Sequence, residues 1–311
     1  MKILREKSRE YKGNAYFKYK VNIPLGAIER AGFREGAAVE VLAEPGQITF
    51  SNSSQSTQEF DGIRSRLYKE AMAEFPEARI SEIEIMERFL SPKSGERILE
   101  IGAGNGFFSK KISERVGDRG RLIVSDPSLD QLEEVKKLKK PNIQAIQFVQ
   151  FGSGPVDLTK EKVDAVWSYG AVHHIRQKGK SFGNMGRILK RGGRAVIGDV
   201  FVGSRLAQHF DAQVAKYCVV GHEVSFLSRE YAKTLCELNG FEKPEFHEIA
   251  VKWRFKKKAD IGLFLYKLHA MTKTTPKECL RGAEEFLGIN RKGGFFELNW
   301  PITFFITRKR K

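Results

Sequence analysis

Between Arg97 and Asp199 short apolar runs alternate with stretches of helical periodicity, and this alternation leaves few folds open to the chain. The spacing predicts strands near 98–101, 122–125, 143–149, 163–168 and 194–199, with helices near 109–116, 130–139 and 180–189. Such a pattern closes as an α/β, doubly wound, mostly parallel sheet, and its ligand lies beyond the C-terminal ends of the strands. A run after Gly240-Phe241 and the closing FFELNWPITFFITRKR raise the expected strand count to seven. Pro301 marks the last run as bulged or as an edge. Ahead of the alternation, Phe60 to Leu90 is helical in period, and further helices are expected at 206–219, 228–238 and, as an insert, about 260–287.

The first strand leads into RILEIGAGNGFF, 97–108. Gly102, Gly104 and Gly106 allow positive φ and let a ligand approach the backbone, and the helix after them presents unpaired N–H groups. A small nucleotide-like ligand follows. No Lys-Ser or Lys-Thr succeeds the glycines, so a phosphate loop is excluded. Asp126, closing LIVSD, stands where a carboxylate takes ribose hydroxyls, and this serves a dinucleotide or an adenosine equally.

EIGAGNG (100–106), Asp126, VDAVWSYGAVHHI and RILKRGGRAVIGDV resemble, in order and spacing, the blocks of class I S-adenosylmethionine-dependent methyltransferases. The resemblance covers roughly 60–199 and implies a Rossmann-like methyltransferase fold. It implies S-adenosylmethionine as methyl donor and S-adenosylhomocysteine as product. It places Gly102, Ala103, Gly104, Asn105 and Gly106 under the methionine part, with Glu100 orienting it and Asp126-Pro127 at the ribose. Ser168, Tyr169 and Gly170 would border the donor, and Tyr68 would lie over it, as a tyrosine often does in the small-molecule branch. Where the family has an Asp after the third strand, this chain has Phe151-Gly152-Ser153-Gly154, so the adenine contact falls to Gly152 and Ser153.

Methyl transfer is an in-line displacement that needs alignment and, for some acceptors, a base. No Asp/Asn-Pro-Pro-aromatic or Pro-Cys motif follows the fourth strand. His173 and His174 there, and His222-Glu223 further on, are the candidate bases. Phe201, Phe210, Tyr217, Phe226, Phe264, Tyr266 and Trp300 enrich the later segments in rings, and Arg254 and Lys256 to Lys258 are expected beside them. A small organic acceptor, quinone-, lipid- or cofactor-like, suits such walls.

Phe17 to Phe50 resembles the AbrB/MazE-like swapped hairpin, through Val-Asn-Ile-Pro (21–24), Arg34-Glu35-Gly36, Val39-Glu40-Val41 and a Pro-Gly turn before Ile48. That resemblance implies a β-rich module over 1–55 that makes a homodimer or binds DNA, joined by a polar linker to a catalytic domain over 60–311. It keeps open a DNA-binding regulator that senses a cofactor, and the basic tail keeps open a nucleic-acid or protein methyltransferase. Net charge is +16, yet residues 251–311 alone carry 15 Lys/Arg against 5 Asp/Glu, and 1–60 carry 9 against 7. No apolar run reaches membrane-spanning length and MKILREKSRE has no apolar leader, so a cytoplasmic protein is expected. Cys218, Cys236 and Cys279 stand too far apart for a disulfide framework or zinc pattern, and no metal is expected.

Overall fold

The computed structural model describes residues 3–11, 14–30, 39–44, 47–52, 60, 62–147, 162–222 and 224–311. Contacts divide the chain into two compact units, Met1–Gln55 and Ser56–Lys311.

In the first unit β1 (Ile3–Tyr11) pairs antiparallel with β2 (Asn14–Val21), and β3 (Val39–Glu44) with β4 (Gln47–Asn52). A short helix, α1 (Leu25–Arg30), follows β2.

The second unit opens with two helices, α2 (Ile63–Glu74) and α3 (Ile80–Leu90), parted at Phe75-Pro76 because proline cannot continue the first. Five parallel strands follow: β5 (Arg97–Ile101), β6 (Arg121–Asp126), β7 (Ile143–Gln147), β8 (Val163–Tyr169) and β9 (Leu189–Asp199). Between them lie α4 (Ser109–Val116), α5 (Leu129–Lys136) and α6 (Lys178–Ile188). The chain continues through α7 (Arg205–His209), a π turn (Phe210–Val214) and α8 (Ala215–Tyr217), then α9 (Arg229–Leu238). It ends with β10 (Glu245–Phe255), α10 (Lys258–Leu268), α11 (Pro276–Phe286), β11 (Ile289–Lys292) and β12 (Phe295–Arg308).

The sheet runs β10-β12-β9-β8-β5-β6-β7, with β11 on β12. Its order reverses at β5, which has β6 on one side and β8 on the other. Successive strand residues feed two cores, Ile98, Leu122 and Trp167 on one face and Leu99, Ile123 and Val166 on the other. Burial on both faces explains the continuous apolar runs.

Three expectations need correction. The sheet has eight strands, because β11, whose INRK sequence carries no β pattern, pairs with Phe295 to Leu298. Pro301 lies in a central strand, opposite Ala250 of β10; it is tolerated because β9 pairs only from Thr303 onward. The turn expected after α6 is absorbed into β9, where Gly192 takes a φ of 73° and donates to Lys309 O. The insert expected over 260–287 is the α10–α11 pair. Among the described residues no helix is long and apolar enough to cross a membrane.

Candidate active site

At the reversal point β5 delivers the glycine turn. Gly102 has φ 72°, and a Cβ there would stand 2.2 Å from the Ala171 Cβ. Gly104 has φ 55° and lies against the Tyr68 hydroxyl, 3.4 Å from where its Cβ would be. Tyr68, on α2, therefore lies over the turn. The amides of Gly102 and Ala103 donate to Ser125 O at 2.8 and 3.2 Å, and Gly106 donates to Ala103 O at 3.1 Å. Asn105 Oδ1 is buried with no hydrogen-bond partner among the described residues.

Asp126 ends β6 beside this turn. Its Oδ2 accepts from Gly104 N at 2.8 Å and its Oδ1 from Ser128 N at 2.9 Å. Pro127 leads into α5, which Ser128 caps by accepting from Gln131 N at 3.2 Å. Glu100 is buried within β5 and accepts from Ser109 Oγ at 2.6 Å. Burial, with the Asp126 charge adding to it, pushes its carboxyl up to about 8 in spite of the Ser109 bond.

Ser168 is fully buried in β8 and donates to Ile101 O at 3.1 Å, so its hydroxyl ties β8 to β5. Tyr169 donates to Glu82 Oε1 at 2.7 Å, and burial followed by the Glu82 charge pushes its phenol well above the usual range. Gly170 turns at φ 61° and donates to Gly198 O at 2.8 Å. Gly152, Ser153 and Glu223 lie outside the described residues.

Past β8 the chain makes a 3-10 turn, Val172–His174, and here the structure joins what the sequence keeps apart. His173 Nδ1 lies 2.5 Å from Asp199 Oδ1, and Asp199 Oδ2 accepts from His173 N at 3.1 Å. Asp199 closes β9 and is buried. His222 arrives on the loop after α8, which Ser225 N fastens to His173 O at 3.0 Å. The rings of His173 and His174 are 4.2 Å apart, those of His174 and His222 5.1 Å. Phe210, from the π turn, lies 5.1 Å from His222, and Phe60 4.7 Å from His174. Burial first, then the neighbouring imidazoles and Arg64, drives His174 and His222 far below the ordinary histidine value. His269, which sequence reasoning missed, is buried 5.3 Å from Phe210 and 5.8 Å from Trp300.

Of the expected ring walls, Phe210, Phe226 and Trp300 surround these histidines. Phe201 packs instead on Phe246 and Phe305, and Phe264 on Trp253. Arg254 and Lys258 do not face the rings as expected; they pair with Glu297 at 3.0 Å and Glu284 at 2.5 Å.

A second group went unread in the sequence. Glu82, fully buried on α3, accepts from Arg79, Tyr169 and Trp253 at 2.7 Å each. Arg79 also donates to Tyr68 at 3.3 Å. Burial disfavours its charge, yet the Glu82 carboxylate holds the guanidinium protonated above its ordinary range. A Glu in a helical period carries no sign of such a role.

Residues 99–197 match a family model described as a methyltransferase domain. Over 107 residues the chain is 26% identical to the ubiquinone/menaquinone biosynthesis C-methyltransferase UbiE of Vibrio campbellii, covering 34% of this chain and 41% of that one. The match thus spans about two-fifths of the length of the curated relatives. A chain from the complex between the Haloferax volcanii Trm112 methyltransferase activator and a methyltransferase superposes with a TM-score of 0.56. It is 16% identical, over 82% of this chain and 98% of that one. The chain has the fold of class I methyltransferases. Geranyl diphosphate C-methyltransferase from Streptomyces coelicolor A3(2) shares that fold, with a TM-score of 0.50 and 16% identity over 78% of this chain and 83% of that one. Within this methyltransferase fold the glycine turn and Asp126 occupy the reversal point, where open α/β sheets take their ligands.

Proposed function

We propose that the chain transfers the methyl group of S-adenosylmethionine to a small organic acceptor held among His173, His174, His222 and Phe210. The single observation that carries this reading is the abutment of the two features. The glycine turn packs against Ala171, which a Cβ at position 102 would strike, two residues before a cluster of imidazoles and phenyl rings.

The residues fit the donor. Gly102, Gly104 and Gly106 supply the positive φ of the turn, Asn105 Oδ1 is a buried acceptor in need of a donor, and Asp126 ends β6 beside them, where a carboxylate takes ribose hydroxyls. Glu100, protonated while nothing cationic is near, ionises beside a positive group. Tyr68 and Tyr169 wall the site, both held by the Arg79–Glu82 pair. When bound, the donor supplies a methyl group already activated by its sulfonium. The protein's part is to align the acceptor, exclude water and manage a proton. Asp199 fixes His173 with its Nδ1 proton outward to the carboxylate, which leaves the lone pair on Nε2. Gly152 and Ser153 complete the adenine side in this proposal, and Ser168 and Gly170 shape the floor.

A small-molecule acceptor is supported by the rings clustered at the C-terminal ends of the strands. The basic groove of Lys162, Arg187, Lys190, Arg191 and Lys309 is lined from the starts of β8 and β9 and the end of β12, at the opposite end of the strands. The relative named for C-methylation makes carbon the first acceptor atom to try, on a quinone-like ring. We read the 1–55 unit as a swapped-hairpin dimerisation module, since a two-stranded hairpin is too small to own a core. DNA binding by that unit has less support, for its net charge is only +3.

Calorimetry with S-adenosylhomocysteine, followed by incubation of metabolite fractions with methyl-labelled donor, tests the reading. Label is expected in a small molecule. Failure to bind the homocysteine product, or label found only in nucleic acid or protein, would sink it.

A further inference from the structure

We propose that His173, His174 and His222 form a site for one divalent transition-metal ion, whose open coordination position takes an oxygen of the acceptor. The inference rests on the small-molecule reading for the acceptor, but the metal site stands on its own geometry.

One ring nitrogen from each of the three histidines lies within 4.8 Å of the others. A tetrahedral ion with bonds of 2.0–2.1 Å would bring them to about 3.3 Å, a closure of roughly 1.5 Å at most that small ring rotations supply. His222 is 8% exposed, and neither ring nitrogen has a hydrogen-bond partner among the described residues. Buried polar nitrogens are normally satisfied, so a ring with both bare is unfinished. His173 shows the complementary sign. Its Nδ1 is engaged by the buried Asp199 carboxylate, the arrangement that orients a metal-binding imidazole and raises its basicity. Asp199 is itself fixed, accepting from Val200 N at 2.7 Å and from His173 N.

The donor set also selects the ion. Three imidazoles suit zinc, cobalt, nickel or iron, whereas magnesium and calcium call for oxygen. Three protein ligands leave a fourth position open, the mark of a reactive rather than a structural site. Arg64, buried and 4.2 Å over the Phe60 ring, adds a fixed positive charge beside the histidines. Lys178, also buried, is held by Ile175 O and Ser225 Oγ at 2.8 and 2.6 Å. With Asp199 the one carboxylate in contact with the three among the described residues, this wall favours an acceptor that is anionic or becomes so: an enol, a phenol or a carboxylate. As ligands, the three imidazoles would orient the acceptor by its oxygen rather than deprotonate it themselves. Nothing in the spacing of the histidines along the chain predicts this, since 48 residues separate His174 from His222.

The test uses the full chain, tag-free and stripped with a chelator, titrated with Co2+ and followed by its visible spectrum. One equivalent is expected, with the intense absorption of a four- or five-coordinate nitrogen site, displaced by Zn2+. His174→Ala and His222→Ala should weaken binding at least 100-fold, and Asp199→Asn roughly tenfold. His269→Ala, outside the triangle, should leave it within twofold. If the variants fail to fold, pulsed EPR of the Cu2+ form of the natural sequence counts coupled imidazole nitrogens, with three expected. No stoichiometric Co2+, unchanged affinity in both histidine variants, or fewer than three coupled imidazoles would overturn the proposal. S-adenosylhomocysteine binding is measured in parallel. Product bound without Co2+ defeats the metal site alone; Co2+ bound without product upholds the site and defeats the methyl-donor reading.

Discussion

Glu100 shows how much a single residue in this fold depends on its surroundings. Its carboxyl is pushed up to about 8, against 4.5 in a free chain. Between those values the folded protein holds a proton that the unfolded chain has released, so stability falls as pH rises through this window. Glu100→Gln removes that dependence. Thermal melts at pH 6 and pH 9 should show the variant gaining on the natural sequence with pH, by several degrees at the upper end. A gap that does not widen would mean that Glu100 is ionised in the fold. Product affinity should drop about tenfold in the same variant, the order of one charge-assisted hydrogen bond. At this scale the sequence was legible where a residue's role is local. Gly102, Gly104 and Asp126 announce themselves by strand, turn and strand end. Asp199 does not, because a carboxylate at a strand end gives no hint of which imidazole it will hold.

Elements were legible in proportion to the regularity of their burial. The helix expected over 109–116 is α4 to the residue, and Ser228 caps α9 at its expected start, accepting from Tyr231 N at 3.0 Å. β11 is polar and mostly exposed, so no period betrays it; it exists because β12 offers an edge. The α10–α11 cover depends on a close crossing, for a Cβ at Gly262 would stand 2.1 Å from Pro276 O. The clash is with backbone and cannot be relieved by a rotamer. Gly262→Ala should therefore cost about 2–3 kcal/mol in urea unfolding, while Gly179→Ala, in α6 with open space around it, should be neutral or stabilising by up to about 1 kcal/mol. Equal midpoints for the two would show that the helices can slide apart.

At the scale of the Ser56–Lys311 unit, the basic groove and the proposed site lie at opposite ends of the sheet. Lys162, Arg187, Lys190, Arg191 and Lys309 line a groove at the end where β8 and β9 begin, while Asp126, Tyr169 and Asp199 stand where strands finish. Turnover of a small acceptor should change less than about twofold between 50 and 300 mM salt. A nucleic-acid acceptor gripped by six phosphate contacts would lose about a thousandfold or more over a comparable range. A steep salt dependence of small-molecule turnover would move the acceptor toward the basic groove. Bulk composition, a strong cue to net charge, was silent on this polarity, since which strand ends carry which residues is set by topology.

The Glu82 carboxylate has a consequence for how the chain settles on one structure. It is met by Arg79 from its own helix, by Tyr169 from the parallel strands and by Trp253 from the antiparallel arm, 171 residues away in the case of Trp253. A slip of one position in β10 would turn Trp253 to the other face of the sheet. The acid would then be left in the core one donor short. One buried charge thus acts as a checksum on the assembly, read only when helix, parallel strands and antiparallel arm are all in register.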